Sequence, residues 1–113
     1  MDRHSRQSRL AGVGGAGQAR IGRTTVDVGL SGFAADVAAR YLAGAGVHGV
    51  RVRSEDLARG ARGIDGQVQV EVDPRLAVMP AEALEVDDPS ALELAQGALF
   101  ALRALRGAAG GRP

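Results

Sequence analysis

The segment VDVGLSGFAADVAARYLAGAGV, Val26–Val47, joins a strand-like run to an amphipathic helix through a turn that contains glycine. Apolar residues alternate before Gly29 and recur at helical spacing from Phe33 onwards. This order predicts a strand, a tight turn and a helix, which is the opening unit of nucleotide-binding α/β folds. Such folds place glycine at three turn positions, here 29, 31 and 34, and only the first of them is glycine. The turn therefore either binds a nucleotide in altered form or only directs the chain.

Two later segments, GVRVR at 49–53 and GQVQVEV at 66–72, alternate strictly between valine and polar residues, as half-buried strands do. We predict an α/β fold, a small Rossmann-like remnant of about three mainly parallel strands. Because one face of each strand is polar, the architecture is expected to be two-layered rather than three-layered, with helices chiefly on one face. Asp27 is expected to pair with Arg51 or Arg53 on the polar face, which is either solvated or a partner surface.

Three helices are predicted around these strands. The first runs over 33–43 and stops at the glycines of 44–46, and the second is short and begins after Ser54 as N-cap. The third runs over 91–106, with Ser90 and Glu93 as a capping box and Gly107 at its end. The residues expected to face the core are Phe33, Ala34, Val37, Ala38, Tyr41 and Leu42 in the first helix, and Leu92, Ala95, Leu99, Phe100, Leu102 and Leu105 in the last.

The chain of 113 residues is expected to form one domain over 1–107. Residues 1–23 are polar and rich in glycine, so they are expected to form an N-terminal arm outside the core, although GQARI at 17–21 could begin a short helix. Residues 108–113 are expected to be a disordered tail.

Composition excludes several function classes. The net charge is +1, with scattered arginines and three aromatic residues, which is unlike a nucleic-acid-binding protein. No apolar run is long enough for a membrane span, so we expect no membrane association and a cytoplasmic location. The chain has no cysteine, lysine or asparagine, and no serine lies in a G-x-S-x-G elbow, so thiolate metal sites and nucleophilic hydrolysis are not expected.

The opening of the chain resembles the ThiF/MoeB/HesA family, the E1-like enzymes that adenylate ubiquitin-like sulfur carrier proteins. Arg3, His4, Arg6 and Gln7 match the family's opening element, and Gly17–Gln18 match the pair that leads into its first strand. The helix end YLAGAGV at 41–47 also matches, and ALELAQGALFALRALRG at 91–107 is similar to a late helix of the family. The middle of the family's domain, with its metal-binding aspartate, lysine and asparagine-arginine segment, is missing.

This resemblance implies a catalytically inactive accessory or scaffold subunit. Its partner would be an E1-like adenylating enzyme, in a heterodimer, or a ubiquitin-like sulfur carrier protein. Arg6 matches the arginine that reaches the phosphates of a neighbouring subunit in E1-like dimers, so it is a candidate arginine finger acting in trans. The pathway would be sulfur-carrier, cofactor or peptide-modification biosynthesis.

Two alternatives remain open. The chain is a minimal ATP-binding adenylyltransferase, in which Gly29, Ser31, Gly32 and Asp56 hold the nucleotide with magnesium, or it is a homodimeric structural remnant without nucleotide. Ser31 places a side chain where the phosphates need open backbone, so we favour a purely structural turn with no cofactor, no resident metal and no catalytic residue of its own.

Overall fold

The computed structural model describes residues 15–110 as a three-stranded parallel sheet with four helices. The elements are α1 Gly15–Ile21, β1 Thr25–Asp27, α2 Gly32–Ala45, β2 Gly49–Val52, α3 Glu55–Ile64, β3 Gln69–Val72 and α4 Pro89–Gly110. The strands lie in the order β1-β2-β3, as the first three strands of a Rossmann sheet do. The predicted α/β class and the parallel sheet are confirmed.

The two faces of the sheet differ as the alternation predicts. Val50 and Val52 are fully buried beneath the helices, whereas the opposite face is polar and exposed. Across that face, Asp27, Arg51 and Glu71 occupy one row, and Arg51 lies 3.4 Å from the Asp27 carboxylate and 3.6 Å from that of Glu71. The expected pairing of Asp27 with Arg51 or Arg53 is confirmed for Arg51. The helices lie on the opposite, apolar face of the sheet.

Short side chains let the helices pack closely. α2 lies on β2 and contacts both α3 and α4, and its buried residues are mostly alanines. Where α4 crosses α2, Gly97 leaves no room for a side chain, since a Cβ there would overlap the backbone oxygen of Ala34 and lie 2.7 Å from the Cβ of Val37. The α2–α4 contact therefore depends on a glycine.

Several predictions about side-chain faces are corrected by this packing. Phe33 and Tyr41 are about half exposed, because α2 turns its alanines rather than its aromatic residues to the core. In α4 the buried residues are Gly97, Ala101 and Leu105, one row of an i, i+4 pattern, and Leu102 is exposed. The close approach at Gly97 selects the small-residue row over the row of leucines.

The ends of α4 also differ from the prediction. The helix begins at Pro89, and the carboxylate of Asp88 accepts a hydrogen bond from the N–H of Ala91 at 2.8 Å, so Asp88 rather than Ser90 is the N-cap. The helix continues past Gly107 to Gly110, so residues 108–110 are helical and not part of a tail. The carbonyl of Ala109 accepts a hydrogen bond from Nε of Arg20 at 2.7 Å.

The expectation that residues 1–23 lie outside the core is wrong for α1. Ile21, Gly17 and Gln18 are buried, and α1 packs against α4. A short segment followed by glycine and arginine carries little hydrophobic signal, and it becomes a core helix only because the end of α4 covers it. No helix within residues 15–110 is both long and apolar enough to cross a membrane.

Candidate functional site

The first strand-to-helix turn, Val28–Gly32, lies at the carboxyl end of β1, where parallel α/β sheets bind ligands. Val28 and Leu30 are buried and hold the turn on the core. Gly32 has a φ of 63°, a left-handed conformation that glycine adopts at little cost. The backbone thus makes a tight, glycine-dependent turn into α2.

The N-terminus of α2 has no side-chain cap. Ser31 occupies the N-cap position in an extended conformation, and its hydroxyl makes no capping hydrogen bond. The first N–H groups of a helix have no partner within the helix, and they carry its positive dipole end. This end of α2 therefore keeps one physical property of an anion-binding turn.

The space above the turn is occupied by the chain itself. The N–H of Met79 donates a 2.7 Å hydrogen bond to the oxygen of Gly29. A Cβ on Gly29 would lie 3.0 Å from the oxygen of Ala77 and 3.6 Å from Cγ of Met79. The close backbone approach that a glycine permits at this turn is thus used by residues 77–79, which follow β3.

A carboxylate lies beside the same helix end. Oε1 of Glu93, from the first turns of α4, is 3.6 Å from the position that a Cβ on Gly32 would take. A carboxylate near a helix N-terminus is favourable, and it repels a second anion at the same place. A nucleotide phosphate at Gly32 would therefore meet both Glu93 and the segment at 77–79.

Asp56, the fourth residue proposed to bind a nucleotide, makes its contact within its own helix and not with the turn. Asp56 lies in the first turn of α3, with an 83% exposed side chain that pairs with Arg59 one helical turn later. Ser54, the N-cap of α3, accepts a hydrogen bond from the N–H of Leu57 at 3.3 Å. The structure brings Gly29, Ser31 and Gly32 together and leaves Asp56 engaged within its own helix.

Of the motifs that resemble the ThiF/MoeB/HesA family, some lie within the described residues 15–110 and one lies outside them. Arg6, with Arg3, His4 and Gln7, lies outside residues 15–110. Gly17–Gln18 lie buried in α1, and the match at 41–47 covers the end of α2, where Gly46 is left-handed and caps the helix. The matched residues that are described serve helix packing and helix termination.

A groove that the sequence did not predict lies next to the turn. It lies between residues 79–82 and α4, and two adjoining hollows of about 530 and 280 Å³ share Leu30, Met79, Pro80 and Gln96. The signal for it was present, because the stretch from Leu76 to Leu102 contains many apolar residues, five acidic residues and no basic residue. Within residues 15–110, no cluster of three or more histidine, aspartate or glutamate side chains is arranged to hold a metal ion.

Comparisons with protein-family models, with curated proteins and with solved structures gave no match for this chain. The turn, the segment that covers it and the groove beside them are therefore the features from which a function can be inferred.

Proposed function

We propose that the chain is a catalytically inactive E1-like accessory or scaffold subunit, which pairs with an active adenylating enzyme or with a carrier protein. The observation that carries the first half of this proposal is the hydrogen bond from Met79 to Gly29. This hydrogen bond holds the backbone of Met79 against Gly29, where a phosphate would lie in a nucleotide-binding turn. A subunit with this arrangement contributes surface and, through Arg6, charge, rather than a nucleotide site.

The charges around the turn support the same proposal. Adenylation needs cationic groups or a metal near the transferring phosphate. Near Gly32 the described structure places Glu93, and the groove alongside contains Glu82, whose carboxylate is paired with Arg103 at 2.6 Å. The Glu93 carboxylate disfavours a polyphosphate at this helix end, and Arg103 is already paired with Glu82.

Calorimetry of the full chain with Mg-ATP tests the inactive half of the proposal. We expect no binding heat at millimolar nucleotide. Saturable heat that is lost in Gly32→Ala would favour the ATP-binding alternative, since that substitution disturbs the turn where the phosphates would bind.

Light scattering tests whether the chain pairs with an adenylating enzyme. The chain is measured alone and then mixed with the E1-like enzyme encoded nearest to it, and we expect a defined complex. A stable homodimer that ignores the enzyme would favour the homodimeric structural remnant, and an unchanged monomer would contradict both readings.

Arg6→Ala then tests whether the arm acts in trans. We expect the complex to form and the partner's adenylation rate to fall, because guanidinium groups stabilise charge on transferring phosphates. Arg9→Ala is the matched control, since it removes the same charge from the same segment outside the resembling motif. Equal effects of the two substitutions would show a general charge effect rather than a specific one.

A further inference from the structure

The groove beside the turn is lined mostly by apolar residues, with the carboxylates of Glu82 and Glu93 and the guanidinium of Arg103 among them. Its apolar lining comes from Leu30, Met79, Pro80, Leu99, Phe100 and Ala104. Residues 79–82 are held against α4 at one end, where Gln96 donates from Nε2 to the oxygen of Glu82 at 2.8 Å and Arg103 pairs with the Glu82 carboxylate. The walls are therefore fixed while the groove between them stays open.

Apolar surface in and around the groove is left uncovered. Met79 is 56% exposed, and Val78, which also lines the groove, is 44% exposed. Exposed apolar residues that lie together at a concave site mark a surface for binding. What the groove binds must be largely apolar.

The charge of the surrounding surface restricts the occupant further. The charged residues that line the two hollows are Glu82, Glu93 and Arg103, and Arg103 pairs with Glu82. The chain between Glu82 and Glu93 adds Glu85, Asp87 and Asp88 and no basic residue. Glu85, Asp87 and Glu93 form no ion pair with any other described residue. Anionic ligands are repelled by such a surface, and a cationic segment with apolar side chains is attracted to it.

The first fourteen residues of the chain have this chemistry. The segment MDRHSRQSRLAGVG contains three arginines against one aspartate, with Leu10 and Val13 close behind Arg9. Fully extended, fourteen residues span up to about 46 Å. The largest dimension of the protein is 36 Å, so length does not prevent the segment from reaching the groove.

The point at which this segment joins the described structure favours the same placement. Residue 14 leads directly into α1, and α1 packs on α4, which forms one wall of the groove. The segment therefore starts beside the helix that it would have to follow.

We propose that residues 1–14 bind in cis in the groove between residues 79–82 and α4, with their apolar side chains against its apolar lining and their arginines towards Glu93 and the acidic stretch that precedes α4. The proposal goes beyond the accessory function and does not require it. It makes the segment a resident peptide that any protein partner of this groove must displace.

Paramagnetic broadening in the full chain tests this placement. The chain has no cysteine, so a nitroxide can be attached at Ala81→Cys, an exposed residue at the groove. We expect loss of most of the amide signal intensity for residues 3–13. The matched label at Gln69→Cys, exposed on the polar face of the sheet, is expected to leave those signals intact.

Charge variants of the labelled chain test the electrostatic part. Glu93→Gln on the Ala81→Cys background is expected to restore part of the lost intensity, whereas Glu71→Gln, on the polar sheet face, is not. Raised salt is expected to act like Glu93→Gln, because it screens exposed charges.

Three outcomes would overturn the proposal. The first is full intensity for residues 3–13 with the groove label, and the second is equal loss with both labels. The third is broadening that appears only when isotope-labelled chain is mixed with nitroxide-labelled chain, which would assign the groove to a second copy. None of these measurements involves ATP or an E1-like enzyme, so their failure is separate from failure of the proposed function.

Discussion

Two strand-to-helix turns lie side by side at the carboxyl edge of the sheet, and they satisfy their helices in different ways. After β2, Ser54 caps α3 with its hydroxyl, and Glu55 and Asp56 supply negative charge in the first turn. After β1, Ser31 makes no side-chain cap. Instead, Glu93 from α4 lies beside the helix end, and residues 77–79 cover the turn.

The comparison shows that the same local sequence order can end in a self-sufficient turn or in one that depends on distant residues. The second turn is complete within five residues of chain. The first turn is completed by α4 and by the segment after β3, which covers it. The groove lies beside this first turn. A turn whose helix end lacks a local cap is available for a ligand or for another part of the chain, and here the chain itself takes that place.

The largest effect is expected from breaking the contact that holds α4, and with it Glu93, against the first turn. Gly97→Ala would place a Cβ on the backbone oxygen of Ala34 and 2.7 Å from the Cβ of Val37. We expect the free energy of unfolding to fall by about 2 kcal/mol, because backbone cannot yield as a flexible side chain can. Denaturant unfolding followed by circular dichroism measures it.

Gly107→Ala in the same helix is the matched control for Gly97. Nothing lies within 4 Å of its Cβ position, so the higher helix propensity of alanine should raise stability by about 0.5–1 kcal/mol. Equal shifts for the two glycines would show that the α2–α4 contact is looser than the structure places it.

A smaller effect is expected at the first turn itself. In Gly32→Ala the added methyl group causes no clash, since the nearest atom is Oε1 of Glu93 at 3.6 Å. The substitution does force alanine into a φ of 63°. We expect a loss of about 1 kcal/mol in the free energy of unfolding, which thermal or denaturant unfolding would detect. An unchanged stability would mean that the turn adopts another backbone conformation in solution.

The smallest changes in the free energy of unfolding are expected from Ser54→Ala and Ser31→Ala, and the two should differ. Ser54→Ala removes the hydroxyl that accepts from Leu57, and we expect a loss of about 1 kcal/mol. Ser31→Ala removes a hydroxyl without a capping bond, so a change within about 0.5 kcal/mol is expected from the same unfolding measurement. A large loss at Ser31 would contradict the uncapped description of the first turn.

Much of this fold could be read from local patterns. The alternation of valine with polar residues gave the three strands and the polar face, and it limited the partner of Asp27 to Arg51 or Arg53, of which the structure pairs Arg51. Ser54 was recognised as a cap because serine before a run with acidic residues satisfies free N–H groups locally. These features depend on residues close in sequence or on the period of a strand, so the sequence carries them.

Apart from the N-cap of α4, which is Asp88 rather than Ser90, the main errors fall where residues far apart in sequence decide the outcome. Leu102 was assigned to the buried face of α4, but the crossing with α2 at Gly97 exposes it and places Gly97 and Ala101 in the core, together with the predicted Leu105. α1 was assigned to an arm, yet it packs on α4, and Arg20 reaches the last turn of that helix. In both cases the packing partner lies more than fifty residues away.

The candidate site shows the same division. The sequence by itself determined that a glycine-dependent turn follows β1, because a strand that alternates to Val28 and a helix that starts near Phe33 leave no other arrangement for Gly29–Gly32. Only the tertiary structure decided what lies on that turn. Met79 and Glu93 reach it through the return of the chain after β3 and the packing of α4, and no local pattern records contacts over fifty or more residues.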